Sequence, residues 1–308
     1  MRVLVIGATG FVGGAIARHL RGAGHDLVGL ARSEDAAARL EAQHVSPLRA
    51  DLDSGLAKVL ATAASADAVV VAAQLPPATE TSVVSALLDA LSGTGKAFLF
   101  TSGSGVLLQR TAGNWSEDSF AEDDPFTVEP LAAERRAVEM LVLAGPERDV
   151  RGMVVRPGLI WGPADHGHVS MIYRSAALTG TACYVGEGLN TYSHVHVDDV
   201  THLVELALDR GTGGRLYHAV AGETPNRWIA EAVGRDLGLP TRSLSPAEAT
   251  GVWGEFGALI MSASSRIRAP RTRRELGWVP HHTDMLTMIG APHLRALARQ
   301  DLDRSPVR

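Results

Sequence analysis

Three glycines near the start of the chain, Gly7, Gly10 and Gly13, supply its first chemistry. The run Gly7-Ala8-Thr9-Gly10-Phe11-Val12-Gly13 follows a short β-rich apolar stretch, Val3 to Ile6, and opens a helix-like segment. In that context Gly7 makes the tight turn off a strand, and Gly10 lets a phosphate approach bare backbone. Gly13 permits close helix–strand packing. The unpaired N–H groups and positive dipole end of the helix complete an anion site for a dinucleotide pyrophosphate. Thr9, Phe11 and Val12 belong to the same turn and are read with it. A second signal stands where the next strand, Asp26 to Ala31, runs into Arg32-Ser33. Sites that prefer NAD carry an acidic residue there, about 20 residues after the glycines, to hold the ribose 2′-hydroxyl. A guanidinium and a hydroxyl suit a 2′-phosphate instead, because arginine binds phosphate through paired, charge-assisted hydrogen bonds. The pattern predicts NADP(H) ahead of NAD(H); the plainer reading is a solvated arginine at a strand end.

The elements that must position these residues alternate regularly. A short polar helix spans Glu34 to Ala42, and a strand at Val45 to Leu48 leads into Asp51-Leu52. Ala68 to Ala73 is a continuous apolar run, as expected of a strand buried on both faces of a parallel sheet. Helix (Thr81 to Leu91), strand (Ala97 to Thr101), helix (Leu131 to Leu143) and strand (Gly152 to Arg156) follow. This predicts an α/β fold, a doubly wound parallel sheet with a smaller C-terminal lobe. The nucleotide-binding core is placed at residues 1–165, completed by 194–222, with strands near 194 and 216. Residues 166–193 and 223–308 form the substrate lobe. Asp199 is expected to cap a helix from Val200 to Leu208, and Asn226 to Leu237 reads as helical. Residues 304–308 read as frayed.

Composition narrows the function classes. The 308 residues carry a net charge of −5 spread along the chain, with no basic stripe, so nucleic acid is not an expected partner. No apolar run approaches the ~20 residues of a membrane span, and the chain starts directly with its first strand, so neither membrane nor signal peptide is expected. The single cysteine, Cys183, excludes an internal disulfide and a thiolate metal cluster. A cytoplasmic protein acting on a small molecule is the expectation.

Several motifs, in order and over almost the whole chain, carry a resemblance to the extended and atypical short-chain dehydrogenase/reductases, the group holding nucleotide-sugar epimerases and dehydratases. GATGFVGG at residues 7–14 resembles the family's cofactor turn. Asp51-Leu52 resembles its adenine-contacting pair, and Ala72-Ala73-Gln74 follows its fourth-strand motif. Phe100-Thr101-Ser102 resembles the strand bearing the catalytic serine. Arg156-Pro157-Gly158-Leu159-Ile160-Trp161-Gly162-Pro163 resembles the signature beside the nicotinamide, so Pro157, Gly158 and Leu159 are implied cofactor contacts. Val195-His196-Val197-Asp198-Asp199-Val200 and Leu276-Gly277-Trp278-Val279-Pro280 resemble two late segments. The helices at Thr81 to Leu91 and Leu131 to Leu143 resemble the pair that builds a homodimer.

The resemblance breaks at the proton donor. The family places Tyr-x-x-x-Lys on the helix after the serine strand, with both side chains on one helix face. Here Leu131 stands where tyrosine belongs and Arg135 where lysine belongs. Leucine cannot exchange a proton; Arg135 can still hold the ribose but cannot be deprotonated. No other Tyr-x-x-x-Lys occurs. Gly103 aligns with the usual serine, leaving Ser102 and Ser104 as hydroxyls for a substrate oxygen, or simply as turn hydroxyls. Tyr192 and His194 are further candidates near the lobe junction. His194 and His196 point one way along a strand, a pair without a third metal ligand, so no metal is expected. Asp165-His166-Gly167-His168 reads as a solvated loop that could instead face substrate. Asn114 and Trp115 line a pocket or anchor a loop. The arginines at 266, 268, 271, 273 and 274 greet an anion or form a solvated face.

Three function classes fit. The first is an NADP(H)-dependent reductase or dehydrogenase acting on a small carbonyl or alcohol compound. The second is a non-redox isomerase, cyclase or dehydratase, and the third a non-catalytic NADP-responsive binding protein.

Overall fold

The computed structural model describes residues 1–163 and 167–300; the predictions at Asp165, His166 and 304–308 lie outside them. In chain order the strands are β1 (Arg2–Ile6), β2 (Asp26–Ala31), β3 (Ser46–Arg49), β4 (Ala68–Val71), β5 (Ala97–Thr101) and β6 (Arg151–Pro157). They continue with β7 (Leu159–Trp161), β8 (Ala182–Val185), β9 (Thr191–His196), β10 (Arg215–Ala219), β11 (Gly222–Pro225) and β12 (Thr241–Leu244). The helices are α1 (Phe11–Gly22), α2 (Glu34–Glu41), α3 (Leu56–Ser65), α4 (Pro77–Ala90), α5 (Ala133–Leu143) and α6 (His168–Thr179). The set closes with α7 (Val197–Arg210), α8 (Asn226–Leu237), α9 (Pro246–Ser262), α10 (Pro270–Leu276) and α11 (Pro292–Gln300).

A seven-stranded sheet in the order β10-β6-β5-β4-β1-β2-β3, every pairing parallel, forms the core. Both faces are covered, as an all-parallel sheet requires. Val3, Val5, Val70 and Leu99 pack on one side with Ile16 and Leu20 of α1 and Leu203 of α7. Leu4, Val69, Phe98 and Phe100 pack on the other with Val59, Val84 and Val138. The apolar runs of β4 and of β5 up to its last residue, Thr101, in which every residue is buried, follow from this double cover. The strand order reverses between β1 and β4, whose carboxyl ends open the crevice where such sheets bind ligands.

The strand expected near residue 194 does not join that sheet. β9 pairs with β7 and β11 in a separate three-stranded sheet, and β12 pairs with β8 in a third. The lobe has its own core, in which Ile172, Tyr173, Cys183, Ile229, Val233 and Met261 pack together. α7 also begins earlier than expected: His196, not Asp199, caps it by accepting from the Asp198 amide at 3.2 Å. Asp199 lies buried inside the first turn and accepts from the backbone N–H groups of His281 and His282. The Trp278 indole N–H donates to the Asp199 carbonyl at 3.0 Å, so the late Leu-Gly-Trp segment is tied to this junction. Among the described residues, no helix is long and apolar enough to cross a membrane.

The arginine-rich stretch is a solvated face only in part: Arg268, Arg273 and Arg274 are exposed, while Arg266 and Arg271 are drawn into the fold. Arg271 is buried and pairs with Asp123; Arg268 reaches Asp124 at 2.7 Å and Arg266 reaches Glu223 at 2.9 Å. Trp115 lies 4.3 Å beneath the Arg266 guanidinium, and the Asn114 amide turns back to the Thr111 carbonyl. These contacts tack the insertion after β5 to the lobe, so Asn114 and Trp115 anchor a loop.

Candidate active site

The glycine turn is built as its spacing demands. Gly7 adopts φ +97°, and a Cβ there would sit 2.8 Å from the Ala72 carbonyl group and the Ala73 nitrogen. A Cβ on Gly13 would lie 2.2 Å from the Gly7 carbonyl oxygen, so α1 and β1 meet at backbone distance. Gly10 is the N-cap of α1 and supplies no side-chain cap, leaving the first helical N–H groups open to an anion. Gly10, Gly13 and Ala72 thus shape the turn.

A cleft of about 560 Å³ runs from this turn across the ends of β1 and β2. Gly7, Thr9, Arg32, Ser33, Asp51, Leu52, Ala73 and Gln74 line it together. Two of these side chains also bond to nearby backbone. The Ser33 hydroxyl caps α2, accepting from the Ala36 N–H at 3.1 Å. The Asp51 carboxylate accepts from Ser54 Oγ and from the amides of Asp53, Ser54 and Gly55, which hold it below its usual carboxylate range. Asp51 therefore orders its own loop, and the apolar Leu52 lines the cleft beside it. Arg39, one turn along α2, also lines the cleft and gives it a second guanidinium. Its place on the same helix face as Ala36, three residues earlier, was the available signal.

Gln74 joins this cleft to a second of about 440 Å³. Phe11, Val12, Pro157, Gly158 and Leu159 line it together with Ser102, Ser104, His168 and Tyr192, and Phe256 and Ile260 of α9 lie at its edge. A Cβ on Gly158 would meet the Ser193 carbonyl oxygen at 2.2 Å, which explains glycine at the β6–β7 step. Arg156, just before it, is buried, and its guanidinium grips the Glu139 carboxylate at 3.0 and 2.5 Å. Burial works to raise the Glu139 carboxyl, but bonding and charge from Arg156, with Ser102 and Arg136 nearby, hold it below its usual range. The Ser102 hydroxyl itself is buried and closes no hydrogen bond of ordinary geometry. Ser104 is buried, and its carbonyl accepts from the Ser265 hydroxyl at 2.5 Å.

At the usual tyrosine position, Leu131 is two-thirds exposed on the rim of an adjoining pocket that also holds Gln74, Ser102 and Arg135. Arg135 pairs with buried Glu80 at 2.9 Å and lies over the Phe100 ring, so its charge is shared before any ribose arrives. Burial pushes the Glu80 carboxyl up, with Arg135 opposing.

The remaining candidates separate. Tyr192 lines the second cleft with a buried hydroxyl that has no partner, and desolvation pushes its ionisation far up. His194 does not line that cleft. It packs against Gly222 and meets Thr224 Oγ1 at 3.3 Å, and burial lowers it to about 4. His196 stacks 4.2 Å from His282 and 4.6 Å from Trp161 at the lobe junction. His168, expected in a solvated loop, is instead buried at the start of α6 and faces the second cleft. Its burial depends on α8, far away in sequence, and no local signal announces it.

The chain matches the family model described as "NAD dependent epimerase/dehydratase family" over residues 3–220. An uncharacterized protein of Schizosaccharomyces pombe is 33% identical over 94% of this chain and 99% of its own length. A 3-diazoavenalumate denitrifying reductase from a Streptomyces species is 28% identical over 94% of this chain and 99% of its own. In three dimensions the chain is similar to the crystal structure of dTDP-glucose 4,6-dehydratase from Bacillus anthracis in complex with NAD. That match has a TM-score of 0.74 at 16% identity and covers 99% of this chain and 97% of the other. The motifs, the doubly wound sheet and these matches agree: the chain belongs to the NAD-dependent epimerase/dehydratase family.

Proposed function

We propose that this protein is an NADP(H)-dependent oxidoreductase that interconverts a small carbonyl compound and its alcohol. The carrying observation is a pair of clefts that share Gln74. One is lined by Arg32, Arg39 and the glycine turn, the other by Pro157, Gly158 and Leu159. Arg32 and Arg39 hold the 2′-phosphate, Leu52 packs the adenine, and the uncapped end of α1 takes the pyrophosphate. The open contour at Gly10 and the Cβ-forbidding contacts at Gly7 and Gly13 fit that role. The cofactor supplies a hydride at its nicotinamide carbon. Val12, Pro157 and Leu159 present the apolar wall against which the nicotinamide ring is held, and Ile260 adds apolar surface to the cleft. Ser102, Ser104 and Tyr192 bring hydroxyls to that space for the substrate oxygen. His194 is outside the cleft and has no place in this reading.

Leu131 bears on the substrate. With no acidic group at the usual position, carbonyls whose reduced anion is already stabilised, such as quinones, aldehydes and activated ketones, suit the site better than nucleotide sugars. The same residue favours a second reading, a non-redox catalyst or an NADP-responsive binding protein. A cytoplasmic homodimer through α4 and α5 completes the proposal: those helices pack side by side, and Met140 on α5 is half exposed. Consumption of NADPH followed at 340 nm together with product tests the reading. Turnover without nicotinamide oxidation, or binding without turnover, selects the second.

A further inference from the structure

Among the described residues, three buried polar atoms on residues lining the second cleft close no hydrogen bond, Ser102 Oγ, the Tyr192 hydroxyl and His168 Nε2, and the last two belong to rings in contact. Both residues are buried, their rings meeting edge to face at 4.6 Å between centroids. A buried polar group without a partner is costly, so two side by side at a cleft indicate something that enters and pairs with them.

The hydrogen-bond network fixes the role of each atom. Asn226 Nδ2 donates to the Met261 carbonyl at 2.9 Å, which leaves Asn226 Oδ1 as an acceptor. His168 Nδ1 lies 3.0 Å from that oxygen and must therefore carry the proton. Burial keeps the ring neutral, so Nε2 presents a lone pair. Tyr192 presents an O–H. The pair is thus one acceptor beside one donor, set among the apolar side chains of Phe11, Met171 and Ile260.

We infer that Tyr192 and His168 form a subsite for a carbonyl compound with a hydroxyl or N–H next to the carbonyl, such as an α-hydroxy ketone. Tyr192 donates to the carbonyl oxygen, and His168 Nε2 accepts from the neighbouring group. A ketone lacking that donor leaves Nε2 unpaired. This deepens the oxidoreductase reading by naming a substrate class, yet the pairing is a property of the chain alone.

The test uses the full protein, without nucleotide and with saturating NADP⁺, and the probes 2-hydroxyacetophenone and acetophenone. On free protein, ¹⁵N spectra should show His168 with an unprotonated Nε2 that shifts when 2-hydroxyacetophenone is added. Wild type should bind the hydroxy ketone about tenfold or more tightly than acetophenone, the scale of one buried hydrogen bond. His168→Phe should erase that preference. Tyr192→Phe should weaken both ketones while raising the melting temperature, because it removes a hydroxyl that has no partner in the free protein. A protonated Nε2, a preference surviving His168→Phe, or no binding of either ketone overturns the inference. Should His168→Phe fail to fold, Tyr192→Phe decides: unchanged ketone binding, or a lowered melting temperature, overturns it. A separate NADPH titration keeps the two readings apart: loss of nucleotide binding with the preference intact sinks the oxidoreductase reading alone.

Discussion

Arg32→Ala should split the two nicotinamide cofactors. Arg32 is exposed at the end of β2, where the chain has Ala31-Arg32-Ser33 and no carboxylate to hold a ribose 2′-hydroxyl. Removing it therefore takes away a phosphate contact and little else. A hydrogen bond to a charged group contributes about 1.5–3 kcal/mol. At 1.4 kcal/mol per tenfold, NADPH affinity should fall by about 10- to 100-fold, while NADH affinity changes by less than about threefold. Arg39 is a weaker partner because Asp35, four residues before it, sits 3.2 Å from its guanidinium. Arg39→Ala should cost NADPH about three- to tenfold, below the range for an unshared charge-assisted bond because Asp35 already takes part of the charge. The assay is nicotinamide fluorescence titration of wild type and both variants with NADPH and NADH at two ionic strengths. The wild-type advantage for NADPH should shrink at high salt, since both arginines are solvent-facing. Equal losses of NADPH and NADH in Arg32→Ala, or none, would refute the 2′-phosphate assignment.

Other perturbations have equally definite outcomes. Gly13→Ala places a methyl 2.2 Å from the Gly7 carbonyl oxygen and should abolish nucleotide binding, measured by the same titration, while lowering the melting temperature. Glu139→Gln leaves the buried Arg156 charge poorly matched and should destabilise by about 3 kcal/mol in denaturant melts. Leu131→Tyr introduces an acid at the rim shared with Arg135 and should raise turnover of unactivated ketones, read at 340 nm; an unchanged rate means the substrate oxygen lies elsewhere. Burial lowers His168 and His194 from the ordinary 6.5 to about 4. Between those values the unfolded chain binds more protons than the folded one, so stability is full above pH 6.5 and falls as pH drops toward 4. Thermal melts flat from pH 7 to 4.5 would contradict this.

Much of the architecture is legible in the chain because it depends on local pattern. The apolar runs of β4 and β5 need no tertiary information, and Asn226–Leu237 has the length and periodicity of the helix it forms. The glycine turn is legible for the same reason, since each glycine answers to a backbone a few residues away or to the end of the next strand. What escapes is set by distant partners. β7 and β11 span three and four residues, too short for periodicity, and exist through pairing with β9. His168 sits in a polar, glycine-containing stretch that reads as loop, yet Asn226 buries and orients it. In the arginine run, Arg273 and Arg274 are exposed as the pattern suggests, while the pairing of Arg266, Arg268 and Arg271 is set by Glu223, Asp124 and Asp123 from distant segments. Ser33 carries two signals in one side chain: its hydroxyl accepts from the Ala36 amide as the N-cap of α2, a bond that still leaves its O–H able to donate to a phosphate.

The central claim is that a hydride passes between the nicotinamide and a carbonyl carbon in the second cleft. The most direct test incubates the protein with NADPH deuterated at C4 and a panel of α-hydroxy ketones, activated ketones and aldehydes, followed by mass spectrometry of the products. Deuterium on the former carbonyl carbon from one of the two C4 positions is the predicted result. Tight NADPH binding with no deuterium transferred to any member of the panel would contradict it and leave the chain a binding protein or a non-redox catalyst.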